Sequence, residues 1–173
     1  MTRGADQSAG RAPVVIVGSY DFPPLVGRGL RSAVQLAVDH SIARHQFGRS
    51  LSKFQTVQML VAEAAGEAAL ARTAVEHAVE VIETRGILSE SAEFAVADSR
   101  ACIGLAARVV ARNAHQVHGA IGFTLDHQLR HFSLRALAWR NEYGTQRYWE
   151  EVVGARAMDT TVDGGIWDLI SPA

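Results

Sequence analysis

Two glycines spaced three residues apart, Gly119 and Gly122, belong to the stretch of the chain that is richest in groups suited to ligand binding. They follow Gln116 and His118 at the end of a helical pattern and precede Phe123. A glycine often ends a helix in a left-handed conformation, but a second glycine removes a side chain where a backbone or a ligand comes close. The stretch therefore indicates either a ligand site or a turn with two structural glycines.

Further groups of this kind lie at other predicted helix ends. Arg44, Gln46 and Phe47 follow the first helical pattern, and Gln55 begins the second. An arginine pairs with phosphate, a phenylalanine stacks on a flat ring and a glutamine hydrogen-bonds the edge of that ring. Because the ends of antiparallel helices gather at one end of a bundle, this set suits a nucleotide-like cofactor. The alternative is a set of helix caps and core residues.

Histidine pairs suggest a second kind of chemistry, because His115 and His118 are three residues apart and His127 and His131 are four apart. Imidazoles at such spacings share a helix face and can ligate a metal. No carboxylate or cysteine accompanies the first pair at ligand spacing, so we expect no metal site. The sequence also lacks the strained serine turn of a Ser-His-Asp hydrolase and the strand-then-glycine order of phosphate-loop and dinucleotide fingerprints.

The elements that position these groups are predicted to be helices. Apolar residues recur at steps of three and four over segments at about 24–44, 53–84, 93–118, 127–139 and 146–158. Short turns join these segments, so the sequence predicts an all-α fold, an antiparallel up-and-down helical bundle, over residues 21–158. We expect residues 1–20 to be disordered or to form a short docking segment, with a strand-like run at 13–18, and residues 159–173 to form a tail.

Charge and cysteine content exclude several classes of protein. The 17 basic and 18 acidic residues give a net charge of −1, which argues against a nucleic-acid partner. The single cysteine, Cys102, excludes an intramolecular disulfide and fits a reducing compartment. No apolar run reaches the ~20 residues that span a bilayer, and residues 1–13 lack a secretion signal. We therefore expect a cytoplasmic protein.

Three segments together resemble the C-terminal helical domain of the acyl-CoA dehydrogenase family. They are Ala-Arg-His-Gln-Phe-Gly at 43–48, Phe-Gln-Thr-Val-Gln at 54–58, and Gln-Val-His-Gly-Ala-Ile-Gly-Phe-Thr at 116–124, followed by His127. They occur in the order and at the spacing of the family. The resemblance extends over about residues 24–158.

The resemblance implies a flavoenzyme that binds FAD and an acyl-CoA substrate. In the family, a carboxylate removes the α-proton of the thioester while the β-hydrogen leaves as hydride to N5 of FAD, which gives the trans-2-enoyl-CoA. Residues of these motifs contact the FAD of a neighbouring subunit, and members assemble as dimers and tetramers through this domain. Carried over by the resemblance, the FAD-binding residues are Arg44, Gln46, Phe47, Gln55, Gln116, Gly119, Gly122 and Thr145.

The catalytic base of the family has no regular counterpart in this chain. One branch places a glutamate directly before the Gly-Thr of a turn that aligns with Glu-Tyr-Gly-Thr at 142–145. Tyr143 thus holds the base position and Glu142 comes one residue early, which turns a helical side chain by roughly 100°. Another branch places the base at the start of the first helix, where this chain has Gly18. A phenol, which ionises near pH ~10, is a poor base for an α-proton.

Three hypotheses follow, because full family members also have an N-terminal helical domain and a middle β-domain. In the first, the chain is part of an acyl-CoA dehydrogenase, a homo- or hetero-oligomer in which a partner chain supplies those domains. The base then comes from the partner, or from Glu142 in a re-registered turn. In the second, the chain is a non-catalytic assembly subunit or a truncated remnant. In the third, it is a base-less flavoprotein with other chemistry, such as desulfination or oxygen activation.

Overall fold

The fold is a bundle of antiparallel helices, seen in a computed structural model that describes residues 22–159 and 166–170. Its helices are α1 (Phe22–Ala43), α2 (Gln55–Arg85), α3 (Glu90–His118), α4 (Leu129–Trp139), α5 (Gln146–Ala157) and α6 (Ile166–Ile170). Short 3₁₀ turns (Leu51–Lys53 and Gly119–Phe123) precede α2 and follow α3. The predicted all-α, up-and-down bundle is confirmed, and the helices begin and end close to the predicted positions.

Helix α3 forms the centre of the bundle and contacts α1, α2, α4 and α5. Its alanines and valines allow the neighbouring helices to approach closely, and larger side chains from those neighbours fill the remaining space. Leu30 of α1 and Leu129 of α4 are buried in the same core as Ile103 and Val110 of α3. Burial of each such side chain contributes roughly 1.5–3 kcal/mol to folding. The core therefore fixes where both ends of α3 lie relative to the other helices.

The helix boundaries have local causes. Gly86 ends α2 with a positive φ of 84°, which a glycine adopts readily. Ser89 then begins α3 as its N-cap, and its hydroxyl accepts a hydrogen bond of 3.1 Å from the amide of Ala92. Thr145 caps α5 in the same way by accepting from the amide of Tyr148. These caps set the first turns of the two helices.

The segment between α1 and α2 differs from the prediction. Residues 45–50 form a small antiparallel hairpin, in which β1 (His45–Gln46) pairs with β2 (Arg49–Ser50). Phe47 and Gly48 lie at its tip with φ angles of 51° and 79°, the combination found in a type I′ turn. Gly48 is therefore a turn residue of the hairpin and does not end α1, whose last residue is Ala43.

Neither Ser50 nor Ser52 caps α2. Phe54 holds the N-cap position of α2. The hydroxyls of Ser50 and Ser52 instead hydrogen-bond to each other over 2.6 Å.

Part of the predicted domain organisation falls outside this description. The segment 1–20, with its strand-like run at 13–18, lies outside the described residues. Within the predicted tail, α6 packs against α3. The boundaries of the bundle at 21–158 and of the tail at 159–173 stay predictions. Among the helices of the described residues, none is long and apolar enough to cross a membrane.

Candidate functional site

A cleft of about 530 Å³ opens at the end of the bundle where α1, the hairpin, the start of α2 and the end of α3 meet. Arg44, Gln46, Gln116 and Gly119 all line it. These four residues were predicted from sequence as ligand contacts, and the fold brings them together. The volume lies within the roughly 300–1,000 Å³ that is usual for small-molecule sites.

Gly119 gives the cleft a stretch of accessible backbone. Its φ of 64° and ψ of −145° form a combination that is open to glycine and rare for other residues. A Cβ atom built on it would meet nothing within 4 Å. The glycine is therefore required by the backbone conformation, and the space beside it is free for a ligand.

Gly122 has a different reason to be a glycine. It is buried, and a Cβ atom on it would lie 2.9 Å from Cβ of His118 and 3.3 Å from Cδ2 of Leu129. Contacts that short require a shift of the neighbouring chain. Gly122 thus allows the turn after α3 to pack on α4, below the cleft, and the predicted contact between Gly122 and FAD stays a prediction.

The tip of the hairpin projects into solvent. Phe47 is 90% exposed and meets the ring of Phe54 edge-on, with 6.2 Å between centroids. A positive φ is strained for a bulky residue, and such strain often marks a functional position. Gln55 is exposed at the first residue of α2. Neither Phe47 nor Gln55 lines the cleft, so both are available only to a ligand or chain that extends beyond it.

Three imidazoles form a column at the floor of the cleft. His40 of α1 stacks on His118 of α3 with ring centroids 4.5 Å apart. His127, which precedes α4, meets His118 edge-on at 4.7 Å. Nδ1 of His118 donates a hydrogen bond of 2.7 Å to the carbonyl of Ala114, because a carbonyl oxygen only accepts. We call these three residues the histidine column; His40 and His118 line the cleft itself.

The electrostatics of the cleft favour an anion. No carboxylate is found among the described residues that line it, whereas Arg44 carries a positive charge. Burial, and then the charges of His127 and Arg44, lower the pKa of His40. Burial also lowers the pKa of His118, although its hydrogen bond to Ala114 opposes this. Both imidazoles therefore take up a proton less readily than an exposed histidine does.

The described residues contain no cluster of metal-ligating side chains around the histidines. In the part of the chain that the structure describes, no group of three or more His, Cys, Asp or Glu side chains is placed to hold a metal ion. His115, the other member of the first predicted pair, has Nε2 within 2.8 Å of the Ser133 hydroxyl. Its ring also stacks on that of Phe123. These contacts give His115 a packing role beside the cleft.

The turn at 142–145, which carries the predicted base positions, docks on the middle of α3. The buried guanidinium of Arg100 donates a hydrogen bond to the backbone carbonyl of Glu142. It lies over the ring of Trp149 at 5.8 Å from the centroid. Burial lowers the pKa of Arg100, and the charges of Glu142 and Tyr143 oppose that shift. Arg100 thus anchors the backbone of this turn.

The packing of the turn opposes a change of register. Gly144 has a φ of 126°, and a Cβ atom on it would lie 2.8 Å from Nε1 of Trp149. A shift that moved Glu142 into the position of Tyr143 would move Tyr143 into that of Gly144, where no side chain fits. The side chain of Glu142 is exposed, and the Thr145 hydroxyl already accepts from the Tyr148 amide.

The predicted site residues therefore fall into two regions. Arg100, beside the turn, and Gln116, in the cleft, are sixteen residues apart on α3, which corresponds to about 24 Å along the helix axis. The sequence predictions missed both Arg100 and His40. The signal for Arg100 was a charged residue at a position of α3 where the periodicity demands an apolar one, between buried Ala97 and Ile103. No comparable signal marked His40.

Comparison with known proteins identifies the relationships of this chain. Residues 26–158 match the family model described as acyl-CoA dehydrogenase, C-terminal domain. This chain belongs to the acyl-CoA dehydrogenase family. The matched region includes the cleft, the hairpin and the turn, and it confirms the resemblance that the three sequence motifs indicated.

The matches to individual relatives extend over only part of the length of each relative. The chain is 34% identical to 3-sulfinopropanoyl-CoA desulfinase of Paraburkholderia xenovorans over 96 residues, which are 56% of this chain and 24% of that protein. A chain of the ChsE4–ChsE5 complex from Mycobacterium tuberculosis has the same fold, with a TM-score of 0.78 and 20% identity over 84% of this chain and 39% of that one. For butyryl-CoA dehydrogenase from Megasphaera elsdenii the TM-score is 0.75 and the identity 21%, over 84% and 37%. The chain thus spans a quarter of the desulfinase and less than two fifths of either solved chain.

Proposed function

We propose that this chain is the cofactor-binding and assembly domain of an acyl-CoA dehydrogenase-type flavoenzyme, and that its cleft takes up part of FAD. The observation that carries the proposal is the convergence of Arg44, Gln46, Gln116 and the accessible backbone of Gly119 on one cleft. The guanidinium suits a diphosphate, and the two amides can hydrogen-bond sugar or base edges.

The residues that line the cleft fit part of a dinucleotide. Arg44 supplies the positive charge, and Phe47 at the hairpin tip offers an aromatic face to a part of the ligand outside the cleft. Gln55 lies next to the hairpin, and Thr145 belongs to the separate region of the turn. FAD, when bound, supplies the acceptor for the hydride released as an acyl-CoA thioester becomes the trans-2-enoyl-CoA.

The proposal includes a homo- or hetero-oligomer, because the cleft lies open at the surface of the bundle. Apolar side chains of the turn after α3 are exposed beside it: Ile121 by 49%, Phe123 by 71% and Leu125 by 72%. Exposed apolar patches of this kind favour contact with another chain. The similar fold from M. tuberculosis was solved in a two-component complex. We propose that another chain of such an oligomer covers this patch and contributes to the cofactor and acyl-CoA sites.

The catalytic base then comes from outside the turn. Glu142 is the carboxylate nearest to the base position of the family, but its backbone is held by Arg100 and the packing of Gly144 opposes re-registration. Substitution of Glu142 by glutamine in the assembled enzyme tests this point. Turnover is expected to persist, and a loss of turnover with retained FAD would instead assign the base to Glu142.

A second candidate function is flavin-dependent desulfination of an acyl-CoA. Two observations favour it: Tyr143 stands in the base position of the family, and the relative with 34% identity is named a 3-sulfinopropanoyl-CoA desulfinase. Product analysis separates the two candidates. Release of sulfite from a sulfino-substituted acyl-CoA, with water as the co-reactant and the desulfinated acyl-CoA as the other product, supports desulfination, whereas formation of an enoyl-CoA supports dehydrogenation.

The first experiment is a titration of the purified protein with FAD, alone and with any copurifying chain, monitored by the visible absorption spectrum and the mass in solution. We expect a flavin band together with an oligomeric mass. Arg44→Gln should weaken FAD binding at least about tenfold because a charge-assisted phosphate contact is lost. Arg108→Gln is the matched control, since Arg108 is exposed on α3 and outside the cleft. Absence of binding in every preparation would contradict the proposal and favour a non-catalytic assembly subunit.

A further inference from the structure

The histidine column places titratable rings directly beside the anion-favouring cleft. His40 and His118 line the cleft, and His127, which does not line it, contacts the ring of His118. Stacked rings at 4.5 Å leave no room for a water molecule between them. The positive charge of a proton taken up by one ring therefore interacts electrostatically with the other rings and with a ligand in the cleft.

The titratable groups close to the column are bases, apart from one exposed acid. Helix α1 contributes His40 and Arg44, and α3 contributes His118 and His115. The residues by which α2 lines the cleft, Thr56, Val57 and Leu60, are not titratable. The loop before α4 contributes His127, and its one acid, Asp126, is exposed.

These neighbouring groups make protonation of the histidine column unfavourable in the free chain. A positive imidazole in the column adds to the charge of Arg44 and repels a second protonated ring, and burial disfavours it further. A phosphate group in the cleft would reverse the balance, because it supplies the negative charge that no side chain of the lining provides.

We propose that the histidine column makes the cleft a proton-linked anion site, in which a diphosphate-bearing ligand binds together with a proton taken from solvent. The inference rests on the proposed function for the identity of the ligand, FAD. For the linkage itself it rests only on the cleft and the three rings. By reciprocity, the factor by which the anion raises the proton affinity of the column equals the factor by which protonation raises the anion affinity of the cleft.

The hydrogen bonds of the rings indicate where the proton goes. Nδ1 of His118 already donates to the Ala114 carbonyl, so a second proton on this ring occupies Nε2. Nδ1 of His127 accepts from the amide of Leu129 over 3.2 Å and must stay unprotonated to do so. His40 and His118 are therefore the rings that receive the proton.

The test uses inorganic pyrophosphate as the probe and the histidine ring signals in NMR spectra as the readout. The signals of His40 and His118 are followed from about pH 8 to about pH 5, with and without pyrophosphate. We expect pyrophosphate to raise both midpoints and to leave the ring signals of His131, which is exposed on α4, unaffected. Calorimetry should show about tenfold tighter pyrophosphate binding at low pH for each unit by which a midpoint rises.

Variants make the assignment specific. His40→Gln and His118→Gln should each reduce the pH dependence of pyrophosphate binding, and the double variant should retain only the part that comes from titration of pyrophosphate itself. His131→Gln should behave like the unmodified chain. Equal affinity for pyrophosphate at both ends of the pH range, equal shifts at His131, or no binding of pyrophosphate at all would overturn the inference.

A parallel titration with FAD separates this inference from the proposed function. Proton-linked binding of pyrophosphate without binding of FAD would uphold the anion site and contradict the dinucleotide proposal. Binding of FAD with the same affinity at every pH would uphold the dinucleotide proposal and overturn the linkage.

Discussion

The buried side-chain amide of Asn113 on α3 donates to the carboxylate of Glu63 on α2, with 2.8 Å between Nδ2 and Oε2. The same nitrogen donates to the carbonyl of Leu60, a residue that lines the cleft, over 3.0 Å. Arg112 also contacts the Glu63 carboxylate at 3.2 Å. The hydrogen bond from Asn113 is the main cause that lowers the pKa of Glu63. This network joins the two longest helices close to the candidate site.

Replacing Asn113 by alanine should lower the free energy of unfolding by about 1–2 kcal/mol, because a buried hydrogen-bonded amide is lost and a small cavity remains. Urea denaturation measures the change. Asn141→Ala is the control, since Asn141 is exposed in the turn after α4, and it should be near neutral. Equal effects of the two substitutions would show that the network does not stabilise the bundle.

Glycine substitutions on two helices should have effects of opposite sign. A Cβ atom on Gly104 of α3 would lie 2.8 Å from Cγ and 2.9 Å from Cβ of Gln146, so Gly104→Ala should push α5 away at a cost of about 1–3 kcal/mol. Gly66 is exposed in α2 with nothing within 4 Å of its Cβ position. Gly66→Ala should therefore stabilise the chain by up to about 1 kcal/mol through helix propensity. Thermal unfolding of the two variants checks both signs.

Arg100 should prove more important for stability than any exposed arginine of the same helix. Arg100→Met removes the donor to the Glu142 carbonyl, and we expect a loss of about 1–3 kcal/mol. Amide hydrogen exchange in residues 141–145 should also become faster, because the turn loses its anchor. Arg108→Met on the exposed face should change neither quantity. Unchanged exchange in the turn of Arg100→Met would contradict the anchoring role.

The stability of the free chain should fall as the pH drops below the ordinary histidine value of 6.5. His40, His115 and His118 all have lowered pKa values in the folded chain, mainly through burial. The unfolded chain therefore binds more protons in this range, and stability rises with pH. Urea denaturation at about pH 7.5 and about pH 5.5 measures the difference. His40→Gln should reduce it, whereas His131→Gln should leave it unchanged.

Sequence periodicity predicted the helices well, because long amphipathic segments repeat their signal over many turns. The hairpin at 45–50 was not predicted, for the opposite reason. Strands of two residues are too short to alternate, and Phe47 stands where a type I′ turn usually has Asn, Asp or Gly. An aromatic residue at that position gave no turn signal.

The candidate site was predicted in part. Arg44, Gln46, Gln116 and Gly119 could be grouped because helix ends of a bundle converge, and the structure places all four in one cleft. The sequence could not separate Gly119 from Gly122, since they differ only in φ and in the neighbours that the fold provides.

Two other positions depended on tertiary structure. His40 was missed because its place in the cleft depends on how α1 lies across α3. The distance between the turn and the cleft could be determined only when both were located along the same helix, α3.

At the tip of the hairpin, stability and the proposed ligand binding favour different residues. Phe47 has a positive φ that asparagine or glycine would adopt more easily, and its ring is 90% exposed. Phe47→Asn should therefore make the domain more resistant to thermal unfolding. In a library selected only for heat resistance, this aromatic residue would be among the first to disappear. If the proposed contact of Phe47 with FAD is correct, a library selected for FAD binding would keep it. The two selections would thus separate a role of Phe47 in ligand binding from the stability of the bundle.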